Sequence, residues 1–264
     1  MNYKKIIGIS AVLIIIGILV FTTGIIDLGL NSPVPEEDNI EEPEQELEDF
    51  LENMRRQARE YPETFFLMGS PEENSIALTF DDGPDRQNTP QILDILKERD
   101  INATFFVLGE NVERFPEITM RIYNEGHQIA NHSWRHPNLR EMSDEDIINE
   151  ELHPTSQKVS ELTGYYPQIL RPPFGAINDQ TIELLADLNW KIVNWSIDSF
   201  DWHITSDDPD EIINRIERFH HPGGIVLLHN GLVNQVTVEA LPGIIDFLER
   251  EGYQFKTVNE LLFE

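Results

Sequence analysis

Short apolar runs alternate with helical patterns along most of this chain. Seven runs have the length and composition of strands: Ile76 to Phe80, Ala103 to Val107, Gln128 to Asn131, Gln168 to Arg171, Lys191 to Ile197, Ile225 to Leu228 and Gln254 to Val258. Between them the apolar spacing becomes helical, over Thr89 to Lys97, Glu110 to Glu125, Ile147 to Leu162, Asp179 or Gln180 to Leu188, Asp208 to Phe219 and Val236 to Glu251. Ser143, with Asp146 three residues on, resembles a capping box before the third of these. Strand followed by helix, repeated, predicts an α/β fold with a parallel sheet and helical crossovers. Roughly 190 residues are too few for a regular eightfold barrel, for which about 250 is typical. The expectation is a distorted, incomplete (β/α) barrel of about seven parallel strands.

The first 60 residues differ from the rest. Lys4 and Lys5 precede Ile6 to Ile26, a run without charge made mostly of Ile, Leu, Val and Gly. At about 1.5 Å per residue, such a run reaches roughly 31 Å as a helix, enough to cross a bilayer core. Residues 1–30 are therefore read as an N-terminal membrane anchor or uncleaved signal, with Thr22-Thr23-Gly24 as a weak cleavage site. Positive charge before the run and none directly after it places the remainder outside the cytoplasm, or secreted if the segment is cleaved. Residues 31–60 carry Pro33, Pro35 and a succession of Glu and Asp. They read as an acidic, disordered tether, extended by self-repulsion, with a helix near Phe50 to Ala58. Residues 61–264 form the globular domain.

Charge narrows the partners. The chain has a formal net charge of −29, and from residue 61 onward 36 acidic against 14 basic side chains leave −22. That excess excludes nucleic acid and anionic lipid headgroups as partners. With no cysteine, neither disulfides nor thiolate chemistry is open to the chain.

Polar clusters fall at the C-terminal ends of the strand patterns: Asp81 and Asp82, His132 and His136, Arg171, Asp198 and Asp201, and His229. In a parallel barrel these ends share the face on which active sites are built. Adjacent residues on a strand point apart, so Asp81 and Asp82 need a turn to share one pocket, and Gly83-Pro84 supplies the signal for one. Two close carboxylates require a cation or a proton between them. The i, i+4 spacing of His132 and His136 would set both imidazoles on one face of a helical turn, within reach of a single metal. Taken singly, each cluster is also an ordinary turn, a solvated histidine or a structural ion pair. The remaining histidines, His127, His153, His203, His220 and His221, have no ligand spacing and read as solvated or structural.

In this order the clusters form five motifs: Thr79-Phe80-Asp81-Asp82-Gly83-Pro84, His132-Ser133-Trp134-Arg135-His136, Arg171-Pro172-Pro173-Phe174-Gly175, Asp198-Ser199-Phe200-Asp201-Trp202 and Leu227-Leu228-His229. Together they resemble the polysaccharide deacetylases, the NodB-like carbohydrate esterases of family 4, over residues 74 to 262. The resemblance implies that Asp82, His132 and His136 bind a divalent metal, zinc or cobalt. It implies Asp81 as general base, positioned and kept ionised by Arg171. It implies His229 as the general acid for the leaving amine, oriented by Asp201, with Asp198 the competing partner. It also implies the backbone N–H of Phe174 as an oxyanion donor, and Leu227 and Trp202 as floor and wall of an acetyl pocket.

The expected activity is removal of N-acetyl groups from N-acetylglucosamine residues of an extracellular polysaccharide, with peptidoglycan nearest to an outward-facing anchor. The alternatives are chitooligosaccharide N-deacetylation, acetylxylan O-deacetylation, and a catalytically silent carbohydrate-binding protein. The charge excess makes one prediction independent of activity. Screening weakens repulsion among like surface charges, so the melting temperature should rise between low and moderate ionic strength; a flat or falling curve in a thermal melt series would contradict it.

Overall fold

The computed structural model describes residues 41–203, 208–231 and 235–264. The apolar run Ile6 to Ile26 lies outside the described residues, and among these no helix is long and apolar enough to cross a membrane. Two compact units divide the chain, Met1–Arg56 with His203–Thr205 and Gln57–Trp202 with Ser206–Glu264. Helix α1, Glu41–Glu60, is longer than the Phe50 to Ala58 segment read from the sequence. Its charge order accounts for that: acids crowd the N-terminal half while Arg55, Arg56 and Arg59 lie in the second half, an order that complements the helix dipole.

Among the described residues, nine strands, all paired in parallel, build the second unit. They are β1 (Phe65–Phe66), β2 (Ser75–Gly83), β3 (Thr104–Val107), β4 (Gln128–Asn131), β5 (Ile169–Leu170), β6 (Lys191–Val193), β7 (Ile197–Asp198), β8 (Gly224–His229) and β9 (Gln254–Phe255). The count exceeds the expected seven for two reasons. Phe65–Phe66 is too short to read as a strand, and the run Lys191 to Ile197 is broken at Asn194, Trp195 and Ser196 into two strands.

That break reveals the curvature. The strand order is β1-β6-β5-β4-β3-β2-β8-β7, with β9 against the start of β2. In a flat sheet β6 and β7 would stand six spacings apart, roughly 29 Å at about 4.8 Å per strand. The three residues joining them span at most about 14 Å. The sheet must therefore curl until its two ends approach, and because the row ends at β1 and β7 the barrel stays open. Asn194 N–H donates to Phe66 O at 2.9 Å and Ser196 N–H to Ile225 O at 3.2 Å, so the link is stitched to β1 and to β8.

Period-two alternation sorts the side chains. Ile76, Leu78 and Phe80 on β2, Phe105 and Val107 on β3, and Val226 and Leu228 on β8 face outward into the main core beneath the helices. Over that core lie α2 (Asn88–Glu98), α3 (Gly109–Arg114), α4 (Pro116–Asn124), α5 (His153–Thr163), α7 (Pro209–Phe219) and α8 (Gln235–Arg250), while α6 (Asp179–Asp187) packs on a second cluster with Leu170, Trp190 and Ile192. The predicted helix Glu110 to Glu125 is split because Pro116 begins α4 rather than continuing α3. Before α5 the chain runs through one helical turn, Asp144–Asp146, capped by Ser143, and a π-helical segment, Ile147–Leu152.

The inward positions form layers. At the N-terminal end Ala77, Phe106, Ala130, Ile169, Val193 and Ile225 pack together. A last helix, α9 (Val258–Phe263), closes that end with Val258 in the same cluster. It is capped by Thr257 and Glu260, a Thr-x-x-Glu pattern that the sequence reading passed over as the tail of a strand. Toward the C-terminal ends of the strands, the same inward parity belongs to Asp81, His132, Arg171 and His229. Phe80 and Phe105 stack at 5.1 Å between neighbouring strands of the outward core. Phe105→Ala should therefore leave a cavity costing about 3–5 kcal/mol, read from the urea midpoint at unchanged m-value.

Candidate active site

A bulge solves the problem posed by two adjacent aspartates. On β3, Phe106 stands opposite Asp81 and Val107 opposite Gly83, so Asp82 is an extra residue with no partner. Its backbone is left-handed, φ 73°, which turns its side chain toward the same pocket as Asp81. Asp tolerates this conformation better than most residues because its short polar side chain bonds locally.

His132 and His136 do meet, but not on a helical turn. They lie in the loop after β4, where Ser133 and His136 adopt φ 70° and 60°. The expected helical geometry is thus replaced by two left-handed residues, held by Ser133 N–H on Asn131 Oδ1 at 2.8 Å and His136 N–H on Ser133 Oγ at 3.0 Å. Nε2 of each imidazole is 3.5 Å from Asp82 Oδ1. His132 Nδ1 is 2.7 Å from the Arg171 carbonyl, which fixes the tautomer with Nε2 facing the pocket.

These three residues fit a divalent metal. Asp82 Oδ1 is buried and makes no hydrogen bond. Two ligand atoms each about 2.1 Å from a tetrahedral ion lie roughly 3.4 Å apart, close to the separations found here. All three candidate ligand atoms lie within 4.8 Å of one another. Burial, reinforced by the charge of His132, pushes His136 down to about 4, leaving a neutral imidazole. Burial opposes protonation of His132 as well, but the Asp81 and Asp82 carboxylates outweigh it and raise its pKa. Asp82 is held well below the usual carboxylate range, since His132 and the other two imidazoles overcome the opposing cost of burial.

Arg171 is fully buried. Nη1 donates to Asp81 Oδ1 and Thr79 Oγ1, both at 2.8 Å, while Nε and Nη2 donate to the carbonyls of Val193 and Asn194, both at 3.1 Å. The guanidinium stacks 4.0 Å from the Phe106 ring centre, over the apolar layer. Burial pulls its pKa down against the opposing charge of Asp81.

His229 is the cross-strand neighbour of Asp81, on β8. Asp201 Oδ1 lies 2.7 Å from His229 Nδ1, and its Oδ2 accepts the His229 backbone N–H at 2.7 Å and the Thr237 hydroxyl at 2.6 Å. Asp198, the competing partner, instead accepts Phe200 N–H at 2.9 Å and the Trp202 indole N–H at 3.1 Å. Burial disfavours the charged imidazole of His229, yet Asp201, with Asp82 and Asp81 behind it, pushes its pKa up to about 10.

Phe174 has φ 60°, is 59% exposed, and sets its ring edge-on to His136 at 4.6 Å. Leu227 is buried two residues below His229 on the same inward parity. Trp202 tilts against Phe200 at 5.2 Å. Sequence reasoning assigns no role to Thr79, Asn131, Glu151 and Thr237, all of them buried; Thr79, Asn131 and Thr237 are polar residues within apolar runs, the signal that would have found them, whereas Glu151 stands among other polar residues. Of the five histidines set aside, His127 receives Ala103 N–H at 3.2 Å, and burial pushes its pKa down to about 4. His153 and His220 bond to Tyr166 and Tyr253, and His221 bonds to the Pro222 carbonyl.

The raised pKa of His229 has a measurable sign. The proton is bound more tightly in the folded than in the unfolded chain, so its contribution is complete below about pH 6.5 and is lost as pH rises toward about 10. Urea unfolding of metal-free protein should show stability falling through that window, with a shallower fall for His229→Gln; identical slopes would remove the assignment.

A family model described as polysaccharide deacetylase matches residues 68–193. A Bacillus cereus protein named peptidoglycan-N-acetylglucosamine deacetylase is 42% identical over 196 residues, covering 74% of this chain and 70% of that one. A Listeria monocytogenes protein of the same name is 39% identical over 189 residues, but the chain spans 39% of its length. Among solved structures, a peptidoglycan N-acetylglucosamine deacetylase in complex with an N-oxidanyl-benzamide superimposes with a TM-score of 0.72 at 39% identity, over 74% of this chain and 91% of that one.

Proposed function

The chain belongs to the polysaccharide deacetylase family, and we propose that it removes N-acetyl groups from N-acetylglucosamine residues of peptidoglycan in a metal-dependent hydrolysis. The observation that carries this reading is the pairing of Asp81 with His229 across β2 and β8, with the Asp82, His132 and His136 cluster beside them. A proton acceptor and a proton donor thus flank one point, the requirement for cleaving an amide through a tetrahedral state.

Asp82, His132 and His136 would hold zinc or cobalt, which when bound polarises the amide carbonyl and acidifies water. Asp81 takes a proton from the attacking water. Its Oδ1 is occupied by Arg171, so Oδ2, 3.7 Å from His132 Nε2, is the edge left for that work. As the carbon–nitrogen bond breaks, His229 delivers its proton to the leaving amine, and Asp201 holds the imidazole by its other nitrogen. Phe174 N–H is assigned to the oxyanion, and Leu227 and Trp202 to the methyl of the acetyl group. The uncharged run Ile6 to Ile26 supports an N-terminal membrane anchor with the domain outside the cell. A silent carbohydrate-binding role would leave acid, base and metal cluster without purpose.

Acetate release from peptidoglycan, chitin oligomers and acetylxylan, by chelated protein with and without added zinc or cobalt, tests the proposal. Release from peptidoglycan only with metal supports it, and none from any polymer sinks it. Three variants separate the roles. Asp82→Asn should lose metal and activity together, whereas Asp81→Asn and His229→Ala should keep the metal and lose about 10²–10⁴-fold in rate. Elemental analysis beside the rates decides, and metal loss in Asp81→Asn with retention in Asp82→Asn would reverse the assignment.

A further inference from the structure

The π-helical segment before α5 carries Glu151, a fully buried carboxylate that no step above uses. Its Oε2 accepts the backbone N–H groups of Trp134 and Arg135 at 2.8 and 2.9 Å. Its Oε1 accepts Arg135 Nη2 at 2.9 Å and Nε at 3.2 Å. Trp134 and Arg135 lie in the loop between His132 and His136. The following residue of the π segment holds the other end of that loop. The Leu152 carbonyl accepts Asn131 Nδ2 at 2.9 Å, and Asn131 Oδ1 in turn accepts Ser133 N–H. A π turn takes its carbonyls out of the regular α ladder, and such turns recur at functional sites.

The chemistry demands a carboxylate. Two convergent backbone N–H groups need one oxygen, the guanidinium fork needs the other, and of the buried side chains only Asp or Glu accepts on both. Glu151 thereby fixes the backbone between two left-handed residues, Ser133 and His136, whose conformation is otherwise unfavourable. Both imidazoles owe their approach to Asp82 to that turn.

We propose that Glu151 is a positioning residue for the metal centre, setting the spacing of His132 and His136 through the loop between them without touching the ion; the inference rests on the metal site proposed above. The full-length protein, stripped of metal, is titrated with Co(II) or Zn(II) against a competing chelator, with the Co(II) visible spectrum as a readout of ligand geometry. Glu151→Gln should bind about 10–100-fold more weakly, with a changed Co(II) spectrum. In that variant the amide NH₂ must face either the backbone N–H groups or the Arg135 guanidinium. Arg135→Ala combined with Glu151→Gln removes the conflict and should recover much of the affinity, a rescue that a merely packing role would not produce. Glu151→Gln with the affinity and spectrum of the unaltered protein, or a double variant no tighter than the single, overturns the proposal. Should Glu151→Gln not fold, as judged by circular dichroism, Glu151→Asp decides: weaker binding supports the role, and unchanged binding refutes it. If the unaltered protein binds no metal, or Asp82→Ala binds as tightly, the metal reading itself falls and takes this inference with it; if both controls pass while the Glu151 variants bind normally, only the inference fails.

Discussion

A buried guanidinium organises this molecule. Arg171 has no access to water, and a cation in that position is tolerated only if its donors find acceptors. Those acceptors come from three places in the curled sheet: Thr79 and Asp81 on β2, the carbonyl of Val193 on β6, and that of Asn194 in the link toward β7. The side chain thus crosses the barrel interior and ties β2 to the segment that joins β6 to β7. It also divides the interior in two. Below it lies the apolar layer, with Phe106 against its face, and above it lies the polar pocket. Removing either partner of the Arg171 and Asp81 pair would strand the other charge in the interior, which is why such pairs are costly to break even when their net contribution is modest.

Above that floor the site depends on unfavourable backbone. Asp82, Ser133, His136, Phe174 and Phe200 all have positive φ, and each belongs to one of the strand-end motifs. Such residues cost of order 1–3 kcal/mol each and persist only where their surroundings over-determine them. Here the surroundings are visible. The bulge in β2 holds Asp82, buried Glu151 holds the loop between the histidines, and Asp198 receives Phe200 N–H. Four chain segments are in this way presented at one face with side-chain directions that regular strands and helices could not supply.

The electrostatics form two linked halves. On one side, His132 and His136 share the field of Asp81 and Asp82, which raises the pKa of the first, while burial pushes that of the second down to about 4. On the other, Asp201, with Asp82 and Asp81 behind it, outweighs burial and pushes the pKa of His229 up to about 10, and three hydrogen bonds fix the Asp201 carboxylate in place. Carboxylates and imidazoles alternate around the pocket, so each positive group has a negative neighbour. The strong net acidity of the domain lies outside this balance and bears on solubility and salt response instead.

Much of this was legible in the sequence. The parallel α/β architecture follows from the alternation of apolar runs and helical periods, because each element must bury one face. The strand-end placement of Asp81, His132, Arg171 and His229 follows from the same runs, and the five ordered motifs point to a deacetylase chemistry. What periodicity does not encode is how a chain departs from regular geometry. The helical spacing of His132 and His136 arises from a loop with two left-handed residues, and the choice of Asp201 over Asp198 depends on where β7 and β8 converge. Glu151 reads as one acid among many, until folding buries it against a loop whose N–H groups donate to it. Local order is written in the spacing of apolar residues, because water sorts them residue by residue. Which polar groups become partners was settled only when curvature of the sheet brought distant segments into one unsolvated space.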